Sequence, residues 1–231
     1  MPFPMRAHFT PLALAIAVTT AEAQAPQERY VVMSSGQEVG HLVVTRKGTR
    51  VGTEYRVDDN GRGPKIVERW QLGPDGLPRE LTLSGTTTYG SPAKESFRFR
   101  NGRAEWRTLN DQGAVSTGTA AAYLPIEGSP YPVAFYLPAL LAAPDRTLQT
   151  LPAGSVRAER VRDVPVGGRS LTVWALWGLG LSPDFVLADS TGRWEGTISS
   201  GYVVVPEKLA AEGEALGQLA AGLESELLEG L

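Results

Sequence analysis

The chain contains no cysteine, and of its two histidines only His41 lies beyond residue 25. Disulfides, thiol nucleophiles and cysteine-based metal centres are therefore excluded. A zinc or binuclear hydrolytic centre needs several His or carboxylate ligands on one framework, and no histidine cluster exists to supply them. Ser/His/Asp catalysis lacks its usual elbow, because no Gly-x-Ser-x-Gly occurs. No glycine-rich loop opens a helix either: Gly178-Leu179-Gly180 runs into Ser182-Pro183 and a further strand, so no phosphate cradle is expected. A large excess of one charge is also missing. The formal net charge is −3, and arginines alternate with acids, as in Arg157/Glu159/Arg160, which is the pattern of solvated strand faces rather than of a nucleic-acid patch. The longest apolar run, Leu12 to Val18, is far short of the ~20 residues that span a bilayer.

That short run has a different meaning. Arg6 and His8 precede it and Ala21-Glu22-Ala23 follows it, which is the order of a secretory signal peptide over residues 1–25. The product is expected to be exported, periplasmic or secreted, with no stable membrane insertion after cleavage. An oxidising destination agrees with the lack of a free thiol.

From Arg29 to Leu124 apolar residues recur at every second position between Gly, Asn, Asp and Pro clusters, so this stretch reads as a meander of antiparallel strands. Val51, Thr53, Tyr55 and Val57 share one face; Ile66, Trp70 and Leu72 continue it, followed by Leu81/Leu83, Phe97/Phe99 and Ala104/Trp106. Asn101-Gly102 marks a two-residue hairpin. Between Ser129 and Ala143 the spacing becomes helical, with Pro138 expected to kink or split the helix. Strands resume at Ser155–Val166, Ser170–Trp177, Asp184–Ala188 and Arg193–Val205, with Ser190-Thr191-Gly192 as the last tight turn. Leu171 to Trp177 is apolar on both faces, as in a strand covered twice. After Pro206, Leu209, Leu216, Leu219, Leu223 and Leu227 form the stripe of an amphipathic helix that needs a partner. The expected fold is mainly β: a strongly curved antiparallel sheet or half-barrel over residues 26–205, a short helical plug near 131–143, and a C-terminal amphipathic helix or linker over 206–231.

Two groups of residues could serve binding. Asn60-Gly61-Arg62-Gly63-Pro64 presents one guanidinium from a constrained turn, able to clamp a carboxylate of a ligand or another domain. Tyr55, Trp70, Phe97, Phe99 and Trp106 would line a cavity if the sheet curls. Glu68, Glu80, Glu95 and Glu105 are expected on polar strand faces beside arginines, as salt-bridge partners rather than acids or bases. His41, at a strand start, reads as structural. No catalytic residue, metal or cofactor is assigned.

Several stretches resemble the N-terminal β-domain of exported bacterial amidohydrolase-family proteins. They are Tyr30-Val31-Val32-Met33-Ser34-Ser35-Gly36-Gln37-Glu38-Val39-Gly40, Asn60-Gly61-Arg62-Gly63-Pro64-Lys65, Leu151-Pro152-Ala153-Gly154, Trp177-Gly178-Leu179-Gly180-Leu181-Ser182-Pro183 and Ala188-Asp189-Ser190-Thr191-Gly192-Arg193-Trp194. The resemblance implies a non-catalytic accessory module that packs on or orients a metal-dependent hydrolase barrel, present downstream or as a separate protein. The family's metal ligands belong to that barrel, and none falls within these residues. The alternative, from another class, is a periplasmic carrier that holds an apolar small molecule in the half-barrel. Neither reading involves nucleic acid.

Overall fold

The computed structural model describes residues 26–119 and 121–229; the expected signal peptide lies outside the described residues. The alternating pattern forms eight consecutive antiparallel strands, β1 (Gln27–Ser34), β2 (Gln37–Lys47), β3 (Arg50–Val57), β4 (Lys65–Leu72), β5 (Pro78–Thr86), β6 (Pro92–Arg100), β7 (Arg103–Arg107) and β8 (Gln112–Ser116). A two-residue strand, β9 (Ala122–Tyr123), leads to helix α1 (Val133–Ala142). Then come β10 (Thr147–Leu151), β11 (Ser155–Val166), β12 (Arg169–Trp177), β13 (Asp184–Ala188), β14 (Trp194–Ile198) and β15 (Val203–Pro206). The chain ends in a 3-10 turn, Glu207–Glu212, and helix α2 (Gly213–Glu229).

All fifteen strands belong to one sheet, in the order β8-β7-β6-β5-β4-β3-β2-β1-β15-β14-β13-β12-β11-β10-β9. Its two ends approach through side chains: Phe97 of β6, third from one edge, stacks on Tyr123 of β9, the strand at the other edge, with ring centroids 4.0 Å apart. The sheet is therefore curled into a half-barrel, as expected. Its concave face holds one apolar core, to which Val32, Leu42, Ile66, Trp70, Leu81, Val156, Leu176 and Trp194 contribute.

Helix α1 fills that concavity. Phe135, Tyr136, Leu137 and Leu140 are buried, and a short helix apolar on most of its circumference is stable only inside a core. Pro138 does not split it: the helix is continuous from Val133 to Ala142, with Pro138 on its exposed side.

A second core lies on the convex face, where Val31, Val173, Leu187, Ile198 and Val205 pack against Leu209, Leu216, Ala220 and Leu223. The apolar stripe of α2 thus finds its partner within the chain. This explains the two-sided burial of β12, which lies between the concave core and the helix. Glu195 fixes the approach to α2. It is buried, accepts from Arg169 Nη2 at 2.9 Å and Arg193 Nη2 at 3.0 Å, and has Lys208 Nζ of the 3-10 turn at 3.8 Å. Burial opposes its charged form, but the two guanidinium hydrogen bonds outweigh it and hold its carboxyl below the ordinary range.

Two strand assignments differ from expectation. Strands resume at Thr147 with β10, which pairs with β11, rather than at Ser155. Residues 193–205 form two strands, because Ser199 Oγ accepts the Tyr202 N–H at 2.9 Å and closes a further turn. The last tight turn is therefore Ser199–Tyr202.

The antiparallel register sends every second connection to the same rim, and the parallel pairing of β9 with β10 places the segment after β9 there too. One rim, here the loop rim, carries 35–36, 58–64, 87–91, 108–111, 124–131, 152–154, 178–183 and 199–202. The opposite, turn rim carries mostly tight polar turns such as Gly48-Thr49, Asn101-Gly102 and Gly167-Gly168.

Candidate functional site: the latched mouth of the half-barrel

The aromatic set packs on the concave core, where α1 and further aromatics lie against it. Trp70 and Phe97 are buried, and they share a cross-strand row with Val51, Leu81 and Trp106. Phe135 of α1 meets Trp70 edge-on at 5.3 Å, while Tyr123 covers Phe97. Tyr131 packs edge-on against Phe135 and Trp194 at 5.4 and 5.6 Å. Such geometries add to simple area burial. Phe99 lies under the Arg79 guanidinium at 5.4 Å, and Trp106 Nε1 donates to Asp111 Oδ2 at 3.4 Å. Tyr55, nearer the loop rim, has its hydroxyl pKa pushed up to about 12 by burial, with Tyr202 adding to the shift.

Asn60 and Arg62 are not part of this set. They sit at the tip of the 58–64 loop, where Asn60 takes a positive φ of 54° and Gly61 one of 77°. The loop is tied internally: Asn60 Nδ2 donates to Asp59 Oδ1 at 2.8 Å, and the Gly61 N–H donates to Asp58 Oδ1 at 2.9 Å. Tyr202 O–H reaches Asp59 Oδ2 at 3.1 Å and links this tip to the β14–β15 turn. The Arg62 side chain is exposed, beside an open cleft of about 500 Å3 shared with Thr88 and Tyr89.

Sequence reasoning missed the two carboxylates that organise the mouth. Glu68 and Glu95 are buried on the concave face, not on a polar face beside arginines; Glu80 and Glu105 do take that outer position, paired with Arg100 at 2.9 Å and Arg103 at 3.0 Å. The register aligns Thr53, Glu68, Leu83 and Glu95 in one row. Glu68 Oε2 accepts from Thr53 Oγ1 at 2.6 Å, Ser129 Oγ at 2.8 Å and Trp70 Nε1 at 3.1 Å, and Glu68 Oε1 accepts the Ser129 N–H at 2.7 Å. Glu95 accepts Tyr123 O–H at 2.5 Å on Oε1 and the Ile126 N–H at 3.1 Å on Oε2. Burial raises the Glu95 pKa above the ordinary carboxyl range, the two hydrogen bonds oppose this, and the nearby Glu68 and Glu127 add to the rise. Tyr123 is raised as well, first by burial and then by Glu95.

Together the two acids fasten the segment 122–131 across the concave face, ahead of α1. Their strands are two sheet spacings apart, about 10 Å at the backbone. Two carboxylates near that distance could in principle serve glycoside hydrolysis, but such work needs solvent and substrate at the oxygens. Here the oxygens face the chain's own donors, and Glu68 is 0 % exposed.

Outside this latch, an open cleft of about 440 Å3 is bounded by the 87–91, 108–111 and 126–127 segments and by Glu95. Among the described residues no group of three His, Cys, Asp or Glu side chains is placed to hold a metal ion. His41 lies on the convex side of β2, across from Val31 and Arg56.

The fold and this mouth define a mainly β module: a curled antiparallel half-barrel with a latched helical plug. No family model matches the chain, and no curated protein matches it. Among solved structures it is similar to a DUF1089 family protein from Pseudomonas aeruginosa, with 13 % identity and a TM-score of 0.43, covering 80 % of this chain and 95 % of that one. It is also similar to a β-barrel-like protein of domain of unknown function DUF1849 from Brucella abortus, with 11 % identity and a TM-score of 0.38, covering 79 % and 95 %.

Proposed function

We propose that this chain is a non-catalytic module that works by shape and contact, and that its partner is a metal-dependent hydrolase barrel. The observation that carries the first part is the commitment of Glu68 and Glu95. The acids best placed for chemistry on the concave face hold six hydrogen bonds from the chain itself, which makes them fold determinants. The second part is supported by the amidohydrolase-like stretches. Their glycines serve backbone demands: Gly178 has a φ of 97° and approaches the Ser155 carbonyl so closely that a Cβ would stand 2.2 Å from it.

The stripe of α2 no longer argues for an external partner, because it is covered by the chain's own sheet. Contact with a barrel falls instead to surfaces away from α2. Packing of α1 and its aromatic neighbours against the concave core counts against the carrier alternative. The gene tests the proposal: a reading frame that continues past codon 231 into a barrel with His-x-His and further His and Asp ligands is expected. A stop codon with no hydrolase gene alongside would contradict the hydrolase partner.

A further inference from the structure

We infer that the loop rim is a lipid-docking edge, which seats the half-barrel mouth-down on a zwitterionic lipid surface. Five of the six large apolar side chains exposed among the described residues sit on this rim: Tyr89, Leu109, Ile126, Leu181 and Tyr202. Each comes from a different connection, and the register places all five connections at the same end of the sheet. The sixth, Leu228, lies near the end of α2. Exposure at the tips is high, 83 % for Tyr89 and 106 % for Leu181. Random scatter of surface apolar groups needs no explanation, but concentration at one edge does.

The tips belong to one continuous edge. Tyr89, Leu109 and Ile126 surround a single cleft, Tyr89 shares a second cleft with Arg62, and Asp59 in the Arg62 loop binds the Tyr202 hydroxyl. Leu179 folds inward onto the concave core while Leu181, two residues on, points out. Loop 178–183 thus has an anchored base and an apolar tip.

Two properties of the edge select a lipid surface over a protein. First, the apolar groups are separate tips with Gly, Ser, Thr and Pro between them. A rigid partner would need a matching depression for each, whereas headgroups and acyl chains yield around every tip independently. The two tyrosines carry an apolar ring ending in a hydroxyl, the form suited to the membrane–water boundary. Second, the rim loops carry four acids, Asp58, Asp59, Asp111 and Glu127, and the bases at this edge are Arg62 in a loop and Lys65 and Lys94 at the strand ends lining the two clefts, so the edge has no basic excess. That balance disfavours anionic headgroups and leaves zwitterionic ones. Docking of this kind is peripheral, through the side-chain tips of one edge.

The inference stands apart from the hydrolase reading, since it needs only this chain. Its test is flotation of the purified chain with phosphatidylcholine vesicles, compared with the triple variant Leu109→Ser/Ile126→Ser/Leu181→Ser and with Leu228→Ser. The expected result is salt-insensitive binding that falls at least tenfold in the triple variant and stays within twofold for Leu228→Ser. Because every substituted side chain is exposed, both variants should unfold at the wild-type urea midpoint. The inference is overturned by absence of flotation, by equal loss in Leu228→Ser, or by binding that requires phosphatidylglycerol and disappears in salt. It is equally overturned by a wild-type dimer that the triple variant splits while neither protein floats, which would make the rim a contact between copies.

Discussion

Replacing Glu68 by Gln changes one oxygen to an amide nitrogen and leaves the volume almost unchanged, so its effect isolates the latch. Three donors converge on Oε2, namely Thr53 Oγ1, Ser129 Oγ and Trp70 Nε1, and one, the Ser129 N–H, on Oε1. The hydroxyls can turn and accept from an amide, but neither N–H can. If the amide oxygen takes the Oε2 position, the Ser129 N–H faces an NH2 group; if it takes Oε1, the Trp70 N–H does. Either orientation leaves one buried donor without an acceptor, at about 1–3 kcal/mol, and bonds to an amide are weaker than those to a carboxylate. The expected destabilisation is about 2–4 kcal/mol. With a urea slope of about 2 kcal/mol/M, the midpoint falls by roughly 1–2 M. Equilibrium unfolding in urea at pH 7 reads this directly, and hydrogen exchange at Ser129 and Tyr131 should accelerate before exchange in β12. A change below about 0.5 kcal/mol, the size of an ordinary surface substitution, would refute the reasoning.

Glu195→Gln should destabilise by about 1–2 kcal/mol at neutral pH, because two guanidinium groups lose their buried carboxylate partner. The lowered carboxyl makes this stabilisation present above about pH 4.5 and lost as the pH falls through its folded value, so the variant and wild type should converge on acidification. Glu95 has the opposite sign. Its raised carboxyl favours the neutral form in the folded state, so its contribution is greatest below about pH 4.5 and is lost as the pH rises through the folded value. The stability difference between wild type and Glu95→Gln, followed by urea unfolding from pH 4 to 8, should move against wild type on going up; the reverse slope would contradict the burial argument. Gly178→Ala should cost about 2 kcal/mol, through strain at positive φ and the close Ser155 carbonyl, seen as a lower thermal midpoint.

Much of this architecture is legible in the sequence, because a strand's side-chain period is two and turn residues mark its ends. The curved sheet, the helical plug, the Asn101-Gly102 hairpin and the twice-covered strand at Leu171–Trp177 all follow from that pattern. The latch was legible too, by parity. Glu68 lies between Ile66 and Trp70 at the same period, and Glu95 precedes Phe97 by two, so both had to share the apolar face with their neighbours. Residue type, which favours exposed acids, pointed the other way; parity prevailed because Thr53, Ser129 and Tyr123 supply donors that offset desolvation. The partner of α2 could not be found from its own stripe, since an amphipathic helix records that it is covered and not by what. Nor do the rim's apolar tips stand out along the chain. They are single residues spread from 89 to 202, and only the antiparallel register gathers them at one end.

The most direct test of the account is hydrolysis of amide and ester substrates by the purified chain, with and without added zinc, alongside Glu68→Gln, Glu95→Gln and His41→Ala. No turnover above the buffer rate is predicted for any of the four proteins, with the His41 variant as stable as wild type to within about 0.5 kcal/mol. Turnover by the wild type that either glutamate substitution abolishes, in protein still folded, would show the buried pair doing chemistry and would contradict a module that acts by contact alone.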